Sequence, residues 1–366
     1  MATVAPPTTA ERPIAAWRSW QWRRRAWDAG SVVLLWGGLA TFCVWGALAH
    51  TDEFVVGVVV GCVLALGSIG LTLIYGILKF GHFAHGDMMQ LSSYVAFLLL
   101  TGVLLGETRD TEVPLSINDL PGATNTIWRF SFGYGLLIAM AIACVAMAAL
   151  LVGIDQVVYK PLRNRKAGIV ILAIASLGLA IATRSAILMF WGPNPRYYAS
   201  GIRETIELPW GTRIPADQIF IVAATFVLVA LVYLLLYFTK LGRAMRATAD
   251  NADLARVAGI DTDQVLRWTW VVAGVLIGIA GVLLALQSQL KPELGFTLIL
   301  PLFAATILGG VGSPPGALVG GLIVGITQEV AVTFDVLGPG YKFAVAFAIL
   351  ILVLLVRPRG LFGSTT

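Results

Sequence analysis

The chain has 366 residues, of which 58% are hydrophobic and only 12% charged (25 Lys and Arg against 20 Asp and Glu). That charged fraction is about half the share in a soluble domain, and the apolar residues come in long runs, so cytosolic enzymes and nucleic-acid binders are excluded. The +5 formal charge gathers in a few loops between apolar runs, where it sets membrane topology. The predicted fold class is all-α: a polytopic integral membrane protein embedded in the lipid bilayer, with about ten transmembrane helices and Gly-rich helix breaks.

In chain order, residues 1–30 form a basic, Trp-rich segment with Arg18, Arg23, Arg24 and Arg25 beside Trp17, Trp20, Trp22 and Trp27. The apolar run that follows, 31–49, is longer than the core of a cleavable signal peptide, about 7–15 residues. It is therefore expected to be a retained first span, despite the small residues Ala47 and Ala49 that resemble a cleavage site. Further runs fall near 54–78, 88–106, 132–153, 168–190, 218–238, 266–290, 296–310, 316–333 and 342–356. Ten spans put both termini on one side. The loop carrying Lys160, Arg163, Arg165 and Lys166, the loop carrying Lys240, Arg243, Arg246 and Arg256, and the tail with Arg357 and Arg359 share that side. An excess of Lys and Arg makes it cytoplasmic. The opposite loops, 107–131 and 191–217, hold Glu107, Asp110, Glu112, Asp119, Glu204, Glu207 and Asp217 against five arginines, and have no basic excess. Cys43, Cys62 and Cys144 each lie inside an apolar run with no Cys or His at ligand spacing, so neither a disulfide framework nor a metal site is expected.

Small residues recur at four-residue spacing in Gly57 and Gly61, Gly274 and Gly278, Gly316 and Gly320, and Gly321 and Gly325. Such pairs let helix backbones approach closely in lipid, where hydrophobicity cannot drive association. Two Gly-rich breaks stand in similar positions of the two halves: Gly81 to Gly86, and Gly309 to Gly316. Paired interruptions of apolar segments point to a solute site. If the first lies at the midplane, His82, Phe83, His85, Gly86 and Asp87 line a pathway. If it is a short cytoplasmic turn, they act in gating or in contact with an ATPase. Gly309, Gly310, Gly312 and Ser313 form the second break, and either break is equally read as a plain tight turn.

Two charges interrupt apolar runs, Arg184 and Glu329. At the bilayer centre each costs at least about 2.5–3.5 kcal/mol, so each must face the protein interior or reach an interface. Snorkelling, pairing with each other and contact with a solute all remain open for Arg184.

The loop 239–263 reads as a short capped helix. Asp250 or Asn251 can accept its free amides, Asp253 stands in its first turn, and Gly259 can close its end. About eight residues make a peg roughly 12 Å long, with Ala247, Ala255 and Ala258 leaving a thin surface for a groove on another protein. Arg243 and Arg246 flank it on the chain. No phosphate-cradling Gly-x-x-x-x-Gly-Lys-Ser/Thr loop occurs, so any ATP hydrolysis belongs to a partner.

These stretches resemble the branched-chain amino acid ABC transporter permeases, in particular their smaller, H-type members. Phe83-Ala84-His85-Gly86-Asp87, Tyr159-Lys160-Pro161-Leu162-Arg163, the loop from Arg243 to Ile260, Leu308-Gly309-Gly310-Val311-Gly312-Ser313-Pro314-Pro315-Gly316 and Arg357-Pro358-Arg359-Gly360-Leu361 follow the family's motifs in the family's order. The chain departs from the pattern at His82, where the family has Asn, at Lys160, where it has Arg, and in its first 50 residues. The resemblance implies a permease domain over 51–363, preceded by the segment 1–30 and an additional helix at 31–50. It further implies a non-enzymatic subunit of an importer for branched-chain amino acids or related small amino acids, urea, short amides or aromatic acids. The implied partners are a second permease, two cytoplasmic ATPases that hold the ATP and Mg, and a periplasmic solute-binding protein at the bacterial inner membrane. A self-sufficient carrier or channel for a small polar solute is the alternative reading.

Overall fold

Backbone amides within hydrocarbon must be bonded inside their own segment, which leaves helices as the economical structure for long apolar runs. The computed structural model of the chain describes residues 30, 36–104, 111–112, 116–198, 203–208, 211–334, 338–357 and 360–362. The Trp-rich stretch up to residue 29, Glu107, Asp110 and Arg359 lie outside the described residues.

Each apolar run read from the sequence coincides with one helix. These are α1 (Trp36–Ala49), α2 (Thr51–Leu78), α3 (His85–Thr101), α4 (Tyr134–Ile154), α6 (Ile169–Trp191), α7 (Ala216–Phe238), α10 (Thr262–Gln287), α11 (Leu294–Gly309), α12 (Pro314–Val330) and α13 (Lys342–Val356). α4 continues through a π turn, Asp155–Tyr159, into the short α5 (Lys160–Asn164). The loop after α7 holds α8 (Lys240–Asp250) and α9 (Ala252–Val257). Among the described residues six helices are long and apolar enough to cross a membrane: α2, the continuous Tyr134–Asn164, α6, α7, α10 and Pro314–Thr333. Helices α1, α11 and α13 are apolar but shorter. α3 has 17 residues and carries Asp87, Gln90, Ser92 and Ser93. Two small antiparallel hairpins, Val103–Leu104 with Thr111–Glu112 and Thr205–Glu207 with Arg213–Pro215, lie in connecting loops.

The Lys79 ammonium is bonded to the Ala249 carbonyl of α8 at 2.7 Å, so α2 ends beside the basic loops. We call this end the basic face. At the other end, the far face, Thr51 meets Thr212 at 3.3 Å and the backbone of Leu290 pairs with that of Arg196.

Two hairpins of inverted direction make the core. α2 runs to the basic face, residues 79–84 leave the helix, and α3 starts again at His85. The His85 ring packs on Gly70, where an added Cβ would fall 3.1 Å from it. Gly70 lies nine residues before Lys79, or about 13 Å along the helix, so residues 79–84 climb back into the protein. α10 runs the opposite way to α2, ends at Gln287, and residues 288–293 turn inward before α11 starts at Leu294. Leu290 is level with Arg196 beyond α6, whereas Phe296 reaches Arg184 two turns deeper. The counterpart of the 79–84 break is thus 288–293. The pairing expected from sequence, with Gly309 to Gly316, is not what the fold uses: those residues make the tight turn from α11 to α12, because Gly309 and Gly316 pack backbone to backbone.

The third helix of each hairpin unit covers the first helix of the other. α12 lies antiparallel on α2: a Cβ on Gly57 would fall 2.7 Å from Ile326 Cα, and one on Gly61 2.9 Å from Leu322 Cα. α4 lies antiparallel on α10, where a Cβ on Gly274 would fall 2.6 Å from Ala148 Cα and one on Gly278 2.7 Å from Cys144 Cα. The four-residue glycine pairs are packing devices, and the contacts they permit are dispersion contacts that lipid cannot replace.

Gly325→Leu, which drives a side chain into the backbone of Gly61, is expected to cost more than about 3 kcal/mol. The readout is loss of a monodisperse subunit in detergent. Gly153→Leu, where an added Cβ meets nothing within 4 Å, is expected to leave the elution profile and melting temperature unchanged or slightly improved. Equal behaviour of the two variants would refute the glycine seam.

Candidate functional site

The starts of α3 and α11 meet inside the protein. Gly86 and Gly295 are packed backbone to backbone, and a Cβ on Gly295 would fall 2.7 Å from Asp87 Cα. Only glycines allow two first turns to approach so closely. Asp87 stands in the first turn of α3, where the helix dipole favours its negative charge. Its Oδ1 faces Arg184 Nε of α6 at 3.4 Å, and the Arg184 guanidinium carbon lies 4.4 Å above the Phe296 ring of α11. Asp87 is 1% exposed and Arg184 23%. The separation exceeds the usual 2.7–2.9 Å of a tight charge-assisted bond, and Arg184 divides its attraction between carboxylate and ring. Glu329 takes no part: its carboxylate accepts a 2.6 Å bond from Lys342 near the far end of α12. The pairing of Arg184 with Glu329 weighed from the sequence is not found; Arg184 faces Asp87 instead. Lys291 and Glu293, both exposed, belong to the neighbouring break.

Below the ion pair lies an aromatic box. His82 and His85 are fully buried, their rings 5.9 Å apart and edge-on. The His82 ring is 5.4 Å from Trp270 and 5.8 Å from Tyr159, and those two stack at 5.3 Å, with Phe80 5.2 Å from Tyr159. Both ring nitrogens of His82, the Tyr159 hydroxyl and the Trp270 indole nitrogen are buried, and none has a hydrogen-bond partner among the described residues. Tyr159 closes the π turn, a helix irregularity frequent at functional positions. Asp155 at the start of that turn takes two bonds from Arg163, at 2.6 and 3.1 Å. Phe83 donates its backbone N–H to Ser176 Oγ at 3.0 Å and stands 5.1 Å from Phe303. His82, Phe83, His85, Gly86, Asp87 and Arg184 are therefore brought together. Tyr159, Trp270, Ser176 and Phe296 join them, and sequence reasoning had not singled these out for the site. Among the described residues no group of three His, Cys, Asp or Glu is placed to hold a metal.

Gly309, Gly310, Gly312 and Ser313 form a separate locus at the basic face. Gly310 and Gly312 have φ of 99° and 85°, which glycine alone adopts without strain. Gly312 donates to Thr72 Oγ1 at 2.8 Å, and Ser313 Oγ caps α12 by accepting from Gly316 N at 3.3 Å. The tail locks the turn: Leu361 N donates to Leu308 O at 2.8 Å and Phe362 N to Gly309 O at 3.1 Å.

The loop after α7 carries two helices. Thr239 caps α8, and Asn251, rather than Asp250, caps α9 by accepting from Asp253 N and Leu254 N at 3.1 and 3.0 Å. Gly259, φ 84°, closes α9, with Ile260 N bonded to Ala255 O. α9 has six residues, about 9 Å of helix, shorter than the peg expected. Ala255 faces inward at 4% exposure, while Leu254 at 65% and Val257 at 85% stand out beside exposed Ala258. Asp253 meets Arg256 at 3.4 Å on the surface. Arg243 is exposed, Ala247 half-buried, and Arg246 folds back so that its guanidinium lies 4.6 Å above Tyr237 of α7.

The family model described as the permease component of the branched-chain amino acid transport system matches residues 54–354. The chain is 32% identical over 319 residues to the high-affinity branched-chain amino acid transport system permease protein BraD of Pseudomonas aeruginosa, covering 86% of this chain and 96% of the relative. It is 31% identical over 314 residues to the corresponding protein LivH of Escherichia coli, covering 84% and 93%. A probable branched-chain amino acid permease of Methanocaldococcus jannaschii is 29% identical over 308 residues, covering 82% and 88%. No solved structure matches the chain. With its motifs in place and the match running through most of its length, the chain belongs to the permease-component family of branched-chain amino acid ABC transport systems and is a non-catalytic transmembrane subunit.

Proposed function

We propose that the chain is one permease subunit of an ATP-driven importer for branched-chain amino acids or related small amino acids and amides. The observation that carries this reading is the Asp87–Arg184 pair, set where two helix starts meet and left partly open. A zwitterionic solute offers the same two charges in reverse. Its carboxylate can take Arg184 and its ammonium Asp87, so the pair exchanges partners without leaving a charge unpaired. Phe296 gives the side chain of such a solute an apolar contact. The relatives' printed names, which specify branched-chain amino acids, support this solute class.

On this reading the partners are a second permease, two cytoplasmic ATPases carrying ATP and Mg, and a periplasmic binding protein. The basic face is cytoplasmic, with both termini, in the bacterial inner membrane. α9 docks on an ATPase through Leu254, Val257 and Ala258, with Arg243, Ala247 and Asp250 of α8 belonging to the same coupling loop, while Asp253, Ala255 and Gly259 hold α9 in shape. Gly309, Gly310, Gly312 and Ser313 form a rigid turn beside it. The box of His82, His85, Tyr159 and Trp270 then links this face to the ion pair. ATP closure of the ATPase dimer shifts packing at this face, and packed interfaces respond by switching between discrete arrangements. One observation favours a self-sufficient carrier: His82, His85 and Asp87 are buried titratable groups of the kind that relay protons. Uptake into proteoliposomes by the chain alone, without ATPases, would select that reading.

The ion pair predicts that Arg184→Gln or Asp87→Asn alone loses about 3 kcal/mol of subunit stability, seen as a lower melting temperature. The double variant regains at least half of it. Uptake of carboxylated solutes falls in Arg184→Gln and in the double variant more than uptake of neutral amides. If wild type and Arg184→Gln take up acid and amide analogues in the same ratio, at equal expression, Arg184 does not touch the solute.

For the docking loop, Leu254→Asp or Val257→Asp is expected to lower solute-stimulated ATP hydrolysis at least about tenfold, the loss of 1.4 kcal/mol or more at the contact. The subunit should remain in the membrane. Ala255→Trp should instead unfold the loop, because Ala255 is buried. Unchanged stimulation in the Leu254 and Val257 variants would remove α9 from the interface.

Orientation is checked by single cysteines at Lys160 and Glu204 in intact cells. An impermeant thiol reagent should label the Glu204 position and spare the Lys160 position. The reverse pattern would invert the topology.

A further inference from the structure

A groove opens between α2, α7 and the start of α12. Its apolar part, about 430 Å³, is lined by Ile69, Phe226, Ala230, Tyr233, Pro315 and Leu318 among others. Toward the basic face it runs into a second, more polar recess of about 150 Å³; the two share Leu236, Tyr237 and Pro314. Arg246 and Ala249 of α8 line the recess, along with Thr72, Gly312 and Ser313. None of its lining residues is acidic. Arg246 is held over Tyr237 and has no carboxylate within ion-pair distance among the described residues. The Lys79 ammonium is bonded at 2.7 Å to the carbonyl of Ala249, one of the residues lining this recess.

The groove therefore has an apolar shaft running along three helices and a cationic mouth toward the basic face. A free small anion would fill the mouth but leave the shaft empty. A neutral lipid would fill the shaft but leave Arg246 without its counter-charge. We propose that this groove binds an anionic phospholipid, with an acyl chain along α7 and the phosphate at Arg246. Basic pockets between membrane helices select such head groups, each cation near the surface adding attraction for negative lipid. The orientation of Arg246 gives the reason: its guanidinium lies back against α7, toward the bilayer, while Leu254 and Val257 project from the loop. α8 then responds to lipid on one face while α9, on the reading above, meets the ATPase. The inference rests on that reading only for its consequence in coupling; lipid binding is measured separately.

The full chain, purified and delipidated, is titrated with phosphatidylglycerol or with phosphatidylcholine of the same acyl chains, and bound lipid is counted by native mass spectrometry. Phosphatidylglycerol should bind more tightly by about fivefold or more, the attraction of one cation near the surface. Arg246→Gln should abolish the preference and Arg246→Lys should keep most of it, which separates lost charge from misfolding. Ala230→Trp, which fills the exposed shaft, should weaken both lipids. Equal binding of the two lipids by wild type, or a preference that survives Arg246→Gln, would overturn the proposal. So would cross-linking of Ala230→Cys to the second permease in the assembled complex, which would give the groove to that subunit. Loss of lipid preference with solute-stimulated ATP hydrolysis intact leaves the transport reading standing; loss of stimulation with lipid preference intact leaves the lipid site standing.

Discussion

Non-helical backbone in a membrane protein is tolerated where it is buried in protein or lines a water-filled cavity, and this chain leaves the helix at two stretches that turn back into the protein from opposite faces, 79–84 and 288–293. Most other features follow from enclosing them. Glycines at the starts of α3 and α11 let the two breaks share one enclosure. α4 and α12, each crossing to the other hairpin, supply outer walls for it. Side-chain hydroxyls add polar contacts between helices that the apolar surroundings cannot provide: Ser92 bonds the Gly278 carbonyl at 2.8 Å and Ser176 accepts from Phe83 N at 3.0 Å. Because apolar surface has no preference for protein over lipid, these close contacts hold the helices together in place of a hydrophobic core.

The enclosure also explains why a charge is tolerated there. Asp87 is deep but stands at the positive end of its own helix and faces Arg184. Arg184 keeps partial exposure and a ring to lie on. The histidines occupy the fully buried part of the same space, beside Tyr159 and Trp270.

How much of this was legible in the sequence divides along physical lines. The helices were, because a membrane span is specified by length and apolar content alone, and even α3 with its Gln90 and serines fell within a recognisable run. The caps of the loop helix were legible because Asn251 and Gly259 act on amides and carbonyls within a few residues of themselves. Ala255 was not: its burial depends on how α9 folds back on its own loop, so the exposed Leu254 and Val257 went unnoticed. The 288–293 break was not singled out, its first three residues falling in the run 266–290 and the rest in the gap before 296, because the inward turn is a property of the neighbours and not of the segment. For the same reason Glu329 was weighed as a partner for Arg184, although Lys342, 13 residues on, takes it. The true partner lies 97 residues earlier, at a distance no periodicity reports.

The crossing of α4 onto α10 and of α12 onto α2 carries a consequence for biogenesis. Neither half of the chain can complete its own packing, since the glycine face of α2 waits for a helix that ends at Val330. About 250 residues separate the end of α2 from that point, which at about 5–20 residues per second of synthesis is a delay of roughly 13–50 s. Throughout that interval the early helices sit in the bilayer with a small-residue surface uncovered, open to chance association with other nascent helices. The fold thus places its most demanding step at the end of translation, so the last third of the polypeptide decides whether the first third survives membrane quality control.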